Sequence, residues 1–446
     1  MENEQIQGAV AVIGAGPAGL YAAKYLASTG LEVVLFNRDI KPGGLAEYGI
    51  YYDKYKMKEG LRKQFRQILA MPNIHYFGNV FVGQDGDITL DEIHQSGFQA
   101  IMVTVGAQGT KWLGLPGEDL KGVYHAKDIV YHYNKLPPYA TQKFDVQGRV
   151  ALIGVGNVMM DIAHWAIRDE EVDEVVAVAR RGPAEVKFSK KEMEIVARNL
   201  DLKALDAELE RVRPIMEAVG EDVQAAKAYI LSGLPKALES TSATRFRFDF
   251  LASPTRILGD ETGKVVGLEV EDTTLVPKNG DTKARGLGTR RVLDVDTVVF
   301  CIGDRVDDGF GLPVQWNEFV KNPEPRFAID GLSYEAYDQE AGRPVEGVFV
   351  AGWSREASSG LVGVARKDGE NGAKAILKFL EAQPVASDPK QILGSIQQKL
   401  ERSGKHIVSK EDVATLEAYE SGEAERLGLE EVKIESNEEM LKVIKG

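Results

Sequence analysis

Two short apolar runs each break into a glycine turn and then into helical spacing, and this repeated signal constrains the fold more than any other feature. Val10–Ile13 leads into Gly14-Ala15-Gly16-Pro17-Ala18-Gly19, after which Leu20–Leu26 has helical spacing. In such a G-x-G-x-x-G turn the first glycine allows a sharp reversal. The second lets backbone approach a pyrophosphate, and the third lets the helix pack closely on the strand. The helix N-terminus adds unpaired N–H groups and a partial positive charge. Arg149–Ile153 followed by Gly154-Val155-Gly156-Asn157-Val158-Met159 repeats the pattern, with Met159 in the third glycine's place. One turn of this kind is weak evidence. Two predict an α/β protein built from two Rossmann-like, three-layer dinucleotide-binding domains.

Further buried strands are expected at Glu32–Phe36 and Ala100–Val105, with a strand and turn at Asn79–Leu90. Val298–Ile302 closes the second unit, and Gly347–Ala351 returns the chain to the first. The first domain is therefore expected to be discontinuous, at 1–106 and 306–446, ending in an acid-rich helical extension. The second, 107–305, is inserted into it. Between them, helices are predicted over 190–240, and Phe246, Phe248 and Phe250 alternate as sheet core. The segment 263–270 reads as a strand, and 277–291 as a polar, glycine-rich loop of solvated charges.

The residues after the second strand of each unit distinguish the two nucleotides. A Rossmann unit carries an acidic residue there, ~20 residues past the glycines, for the ribose hydroxyls. Asn37 holds that place in the first unit, followed by Arg38 and Asp39. In the second unit Glu174–Ala179 ends in Arg180-Arg181. Two guanidiniums offer charge-assisted hydrogen bonds to a 2′-phosphate. The second site is thus expected to take NADP(H) and the first FAD.

Composition narrows the class. A net charge of −14 over 446 residues argues against nucleic acid as a partner. No apolar run approaches the ~20 residues of a membrane span. The polar start M-E-N-E-Q-I-Q-G does not read as a secretory signal, so a cytoplasmic location is expected. A single cysteine, Cys301, excludes an intrachain disulfide, a C-x-x-C redox pair and a four-cysteine iron–sulfur site, and it reads as a buried strand residue. The six histidines show no metal-ligand spacing, so no metal is expected, and His164 reads as a helix-face residue. No nucleophile or acid–base pair is evident.

Two further stretches carry candidate roles. Pro42-Gly43-Gly44-Leu45 suggests close backbone approach to a ligand. Lys54, Lys56, Lys58, Arg62, Lys63 and Arg66 form a basic cluster. It is either a solvated helix face or a docking patch for an acidic protein.

Motifs spread along most of the chain resemble the adrenodoxin reductase type of ferredoxin–NADP reductase, within a wider group that includes the small subunit of glutamate synthase. They are G-A-G-P-A-G at 14–19, P-G-G-L-x-x-Y-G-I at 42–50 and L-P-G-E-D-L at 115–120. A-x-D-I-V-x-x-Y-N-x-L-P at 126–137 and G-V-G-N-V at 154–158 follow. R-R-G-P-A-E-V-K-F-S-K-K-E at 180–192, A-G-W near 352 and G-L-V at 360–362 complete the set. The resemblance implies FAD contacts at Gly14, Ala15, Gly16, Pro17, Ala18, Gly19, Asn37, Arg38, Gly44, Leu45, Tyr48, Val80 and Gly106. Trp353, Gly360, Leu361 and Val362 are expected along the isoalloxazine. It implies NADP contacts at Gly156, Asn157, Val158, Met159, Arg180, Arg181, Glu192 and Gly360, with Lys111 where the family often has arginine.

The implied activity is flavin-mediated: NADPH passes hydride to FAD, and electrons leave for a ferredoxin- or flavodoxin-like carrier docking on Lys54, Lys58, Arg62 and Arg66. An electron-input subunit of a larger enzyme and a non-enzymatic flavin sensor are the alternatives. Departures from the family pattern are Asn37 for its glutamate and Tyr52-Asp53-Lys54 for its P-D-H. Glu356-Ala357-Ser358-Ser359 replaces its arginine-glycine-proline segment, and Asp304 its tyrosine.

Overall fold

Both faces of Ala9–Ile13 are apolar, and every residue in it is buried, as a central parallel strand requires. It pairs in parallel with Glu32–Phe36 and Ala100–Val103, Ala11 lying opposite Val34 and Ile101. The computed structural model describes residues 8–278, 280–357, 360–383 and 388–446. The N-terminal stretch 1–7 and Ser358-Ser359, both singled out in the sequence, lie outside the described residues. The described chain divides into two compact units, one of 1–110, 131–141 and 304–446, the other of 111–130 and 142–303.

The first unit holds a six-stranded sheet. Its spatial order is Glu335–Asp338, Arg343–Val350, Ala100–Val103, Ala9–Ile13, Glu32–Phe36 and Ile74–Phe77. Strand alternation sorts the core into two layers. Val10, Val12, Leu35 and Met102 meet Leu20 and Leu26 of helix Pro17–Ala27 and Ile376 and Phe379 of helix Val362–Leu380. On the other face Ala11, Ile13, Phe36 and Val103 meet Ile396 and Leu400 of helix Pro389–Glu401. The acid-rich end adds helices Lys410–Leu427 and Asn437–Lys445. The first is fixed by a Ser409–Asp412 capping box and a left-handed Gly428.

The second unit centres on five parallel strands in the order Val123–His125, Thr297–Phe300, Arg149–Ile153, Glu174–Val178 and Arg245–Asp249. Helix Asn157–Arg168 packs on the middle strands. An antiparallel sheet of Ala252–Gly259, Val265–Lys278 and Asp281–Leu293 covers the core through Ile257, Leu268 and Val270. Phe246, Phe248 and Phe250 are buried sheet core, the last two stacked at 5.1 Å.

Three sequence expectations differ from what is seen. The strand of the 70s and 80s is Ile74–Phe77; within 79–90 only a Val82–Ile88 bridge forms before Thr89 caps the next helix. The polar 277–291 stretch is mostly strand, because its backbone ladders against Leu268–Lys278 while its side chains stay in water. The segment 131–141, expected in the second domain, belongs to the first unit. Tyr131 and Leu136 pack on Tyr48 there, and Tyr133 lies 5.1 Å from Tyr51.

Two candidate dinucleotide sites

Gly14 turns the chain with φ +104, and its N–H binds Phe36 O at 2.8 Å. A side chain at Gly19 would meet Gly14 O at 1.9 Å, so the helix lies directly against the turn. Thr104 Oγ1 donates to Ile13 O and Gly14 O and pins it from the neighbouring strand. Gly16 is the N-cap of Pro17–Ala27, and no side chain caps that end. A Cβ at Gly16 would meet nothing within 4 Å. The helix thus opens its unpaired N–H groups onto clear space beside the turn, the arrangement a pyrophosphate fits.

The Pro42-Gly43-Gly44 loop closes over this turn. Gly43 N donates to Ala15 O at 2.8 Å, and a Cβ at Gly44 would sit 3.1 Å from Gly16 Cα. Leu45 and Gly44 are half-buried, and Tyr48 and Val80 are buried. Asn37 is also buried, and its amide is spent inside the protein. Oδ1 accepts from Ala15 N at 3.1 Å, and Nδ2 donates to Asp39 O, Lys41 O and Tyr76 OH. The two N–H bonds of this amide are shared among these three acceptors, and a carboxylate could donate to none of them. Asn37 therefore braces the turn and the loop to each other. Arg38 is exposed and paired with Asp39 at 3.1 Å.

On the far side of the sheet's C-terminal edge, Gly106 N binds Ser354 Oγ at 3.0 Å, which ties it to the A-G-W turn. Trp353 is half-buried; Gly360 and Leu361 are exposed, and Val362 opens an uncapped helix. Asp368, near the first turns of that helix, is a residue that motif reading missed. It accepts from Gly352 N at 2.7 Å and Tyr334 OH at 3.0 Å, and Arg355 grips it at 2.7 Å. Burial, followed by Asp368, pushes the Tyr334 hydroxyl up to about 12. The Asp368 signal was a lone acid on the buried side of a helix that follows a motif.

The basic cluster is not a free docking face. Lys58 is fully buried and donates to Asn134 Oδ1 at 2.6 Å. Arg62 grips both oxygens of Glu47 at 2.6 Å and also binds Glu431. Arg66 pairs with Glu59 and Glu417. Lys54 is half-buried and engaged in a contact of its own; Lys56 and Lys63 are exposed. The helix Tyr55–Leu69 turns Lys58 and Arg62 inward with Phe65, so the run of cations in sequence is not one charged face.

The second turn follows the same geometry. Gly154 has φ +124 and binds Val178 O at 3.0 Å, and a side chain there would meet Cys301 O at 2.5 Å. Cys301 is buried, and burial pushes its thiol well up, so it is an unreactive packing residue. Gly156 is an uncapped N-cap facing clear space, as Gly16 is. Met159 is fully buried, and Val158 is 40% exposed at the mouth. Lys187 N binds Val155 O at 2.8 Å, and Asn157 Oδ1 accepts from Ser189 N at 2.8 Å. These two bonds draw the 183–192 segment to the turn and place half-buried Glu192 one helical turn beyond Ser189.

Arg180 and Arg181 differ. Arg180 is exposed, and among the described residues its side chain makes no hydrogen bond or ion pair. Arg181 donates to Thr282 O at 3.1 Å and lies 3.4 Å from Asp281. Lys111 is half-buried in the second unit, whereas Gly360, assigned by sequence to both nucleotides, is in the first.

Comparison with known proteins agrees with this geometry. Residues 8–212 match the pyridine nucleotide-disulphide oxidoreductase family. NADPH-ferredoxin reductase FprA of Mycobacterium leprae is 28% identical over 98% of each chain. The mitochondrial NADPH:adrenodoxin oxidoreductase of Salvelinus fontinalis is 26% identical over 98% of this chain and 91% of its own. The solved structure of Mycobacterium tuberculosis FprA in complex with NADPH superposes with a TM-score of 0.82 at 25% identity, covering 99% of this chain and 100% of that one. Motifs, fold and full-length similarity agree: over nearly its whole length the chain is similar to the adrenodoxin reductase-type ferredoxin–NADP reductases.

Proposed function

We propose that this chain is a FAD-dependent NADPH oxidoreductase that passes electrons to a ferredoxin- or flavodoxin-like carrier. The observation that carries it is the pair of uncapped glycine turns, one beneath a closing loop, the other followed by an arginine, Arg180, that is exposed. The relatives named for NADPH, ferredoxin and adrenodoxin support the same reading. Bound FAD supplies the chemistry, taking hydride from NADPH and passing electrons on.

The residues of the chain bind and orient. The N–H groups of Ala18 and Gly19, in the first turn of the helix, receive the FAD pyrophosphate, and the 42–48 loop closes over it. Asn37 holds the loop and turn in register instead of meeting a ribose as a carboxylate would. Asp368 fixes Gly352 and Arg355, and so the A-G-W turn assigned to the isoalloxazine. Arg180 takes the 2′-phosphate, with Arg181 beside it, while Asn157 holds the Ser189–Glu192 segment over the second turn. No side chain is required to move a proton.

The proposal places this exchange in the cytoplasm. The carrier's docking surface is not the Lys58–Arg62 helix face, where Lys58 is buried against Asn134 and Arg62 is paired with Glu47 and Glu431. The test is NADPH-dependent reduction of a panel of small ferredoxins and flavodoxins by the purified, flavin-loaded protein. Turnover with at least one, and far slower turnover with NADH, is expected. No turnover with any carrier, together with NADPH oxidation only on artificial dyes, would contradict the carrier assignment.

A further inference from the structure

The acid-rich end of the chain reaches the first glycine turn through buried charges. Lys41 Nζ donates to Glu420 Oε2 at 2.5 Å, with the two side chains only 5% and 7% exposed. The other oxygen of Glu420 accepts from Ile434 N at 3.1 Å. Lys433 Nζ lies 2.8 Å from Glu47 Oε1, donates to Glu47 O at 3.1 Å, and sits 4.9 Å from the Tyr48 ring. Arg62 completes the set by joining Glu47 to Glu431. Both anchored residues, Lys41 and Glu47, flank Gly43-Gly44, and this loop is tied to the turn by Gly43 N to Ala15 O and Asn37 Nδ2 to Lys41 O.

A segment that only had to cover apolar surface would do so with apolar side chains. Buried ion pairs add little net stability over such residues, but breaking one partner is strongly destabilising, and their attested use is to fix register. Here they are made between residues as far apart as 41 and 420, so no local structure demands them. Three carboxylates, Glu47, Glu420 and Glu431, meet three paired cations, Lys41, Arg62 and Lys433. Burial pushes the Glu47 carboxyl up, but Lys433, Lys41 and Arg62 overcome it and hold it well below the usual range.

We propose that residues 410–436 are a clasp that positions the 41–48 loop over the glycine turn, with Glu420 and Lys433 acting as positioning residues for the flavin. This rests on the reading that FAD lies on the first turn. The clasp predicts that loop order and flavin affinity fall together when it is opened, without loss of the second site.

The test uses the full chain carrying Glu420→Gln, Lys433→Met or the charge-free pair Lys41→Met with Glu420→Leu. Glu423→Gln, at a half-exposed position of the same helix where the carboxylate pairs with Arg426 and not with the loop, is the control. Amide exchange of 42–49 is followed in flavin-free protein, and FAD affinity by quenching of flavin fluorescence. Each clasp variant is expected to speed exchange and weaken FAD by about tenfold or more. NADP+ affinity and the control are expected to stay unchanged. The charge-free pair separates positioning from bulk stability: it should keep the parent melting temperature and still lose FAD affinity. Unchanged exchange at 42–49, or faster exchange with parental FAD affinity, in any folded clasp variant overturns the proposal. If the parent protein itself binds no FAD, the functional reading fails instead, and the exchange comparison still decides whether the tail holds the loop.

Discussion

Arg180 and Arg181 stand side by side after Glu174–Val178, yet replacing them singly is expected to give unequal losses. Arg180 is exposed and has no side-chain partner among the described residues, so its donor fork is open to a 2′-phosphate. Arg181 already donates to Thr282 O and has Asp281 at 3.4 Å, so part of its charge and one donor are committed. A hydrogen bond to a charged group is worth about 1.5–3 kcal/mol, or roughly 10–150-fold in affinity at 1.4 kcal/mol per decade. Arg180→Ala is expected to raise the NADPH dissociation constant by that factor. Arg181→Ala falls at the low end of the range and also frees the Asp281–Thr282 turn. NADH, lacking the phosphate, loses little in either variant. Calorimetric titration with NADPH and NADH at two salt concentrations separates these cases. Equal losses for both nucleotides, or a larger loss at Arg181 than at Arg180, would refute the reasoning.

Four other substitutions follow from the structure. Gly16→Ala should fold with a change within about 1 kcal/mol, since its Cβ meets nothing, but lose FAD affinity. Gly19→Ala, whose Cβ would lie 1.9 Å from Gly14 O, should destabilise by ~1–3 kcal/mol; melting curves with and without FAD distinguish the two. Asp368→Asn leaves buried Arg355 with only the exposed Glu356 at 3.4 Å as a carboxylate partner and should cost about 3 kcal/mol, read from denaturant midpoints. Burial, then Lys433, lowers the Lys58 ammonium to about 7. Its folded value lies below the ordinary 10.5, so between these the unfolded chain binds more protons and stability rises with pH. Lys58→Met should flatten that rise across pH 7 to 10; an unchanged slope would show that Lys58 stays charged in the fold.

Local signals made the two glycine turns, their strands and the arginine pair legible, because strand–turn–helix geometry is set by neighbouring residues. The fate of the basic cluster was not legible in the same way. Charge spacing shows two basic side chains, but the counter-charges of Arg62 come from Glu47 and Glu431, the second far along the chain, and Lys58 is buried against Asn134. Asn37 stands where a ribose-binding acid is expected, and only its amide contacts to Asp39 O, Lys41 O and Tyr76 OH reveal a brace. Segment 131–141 was misassigned because its partner, Tyr48, is nowhere near it in sequence. The 277–291 ribbon reads as loop by composition, since a two-stranded ladder in water needs backbone pairing and not apolar side chains.

In the proposed function this chain holds a flavin on its first turn and reduces it with NADPH bound at the second. Anaerobic titration of the flavin-loaded protein with NADPH tests it most directly. Bleaching of the visible flavin absorbance by one equivalent of NADPH, with NADH far less effective, is the predicted result. A bound flavin that stays oxidised under excess NADPH would contradict it.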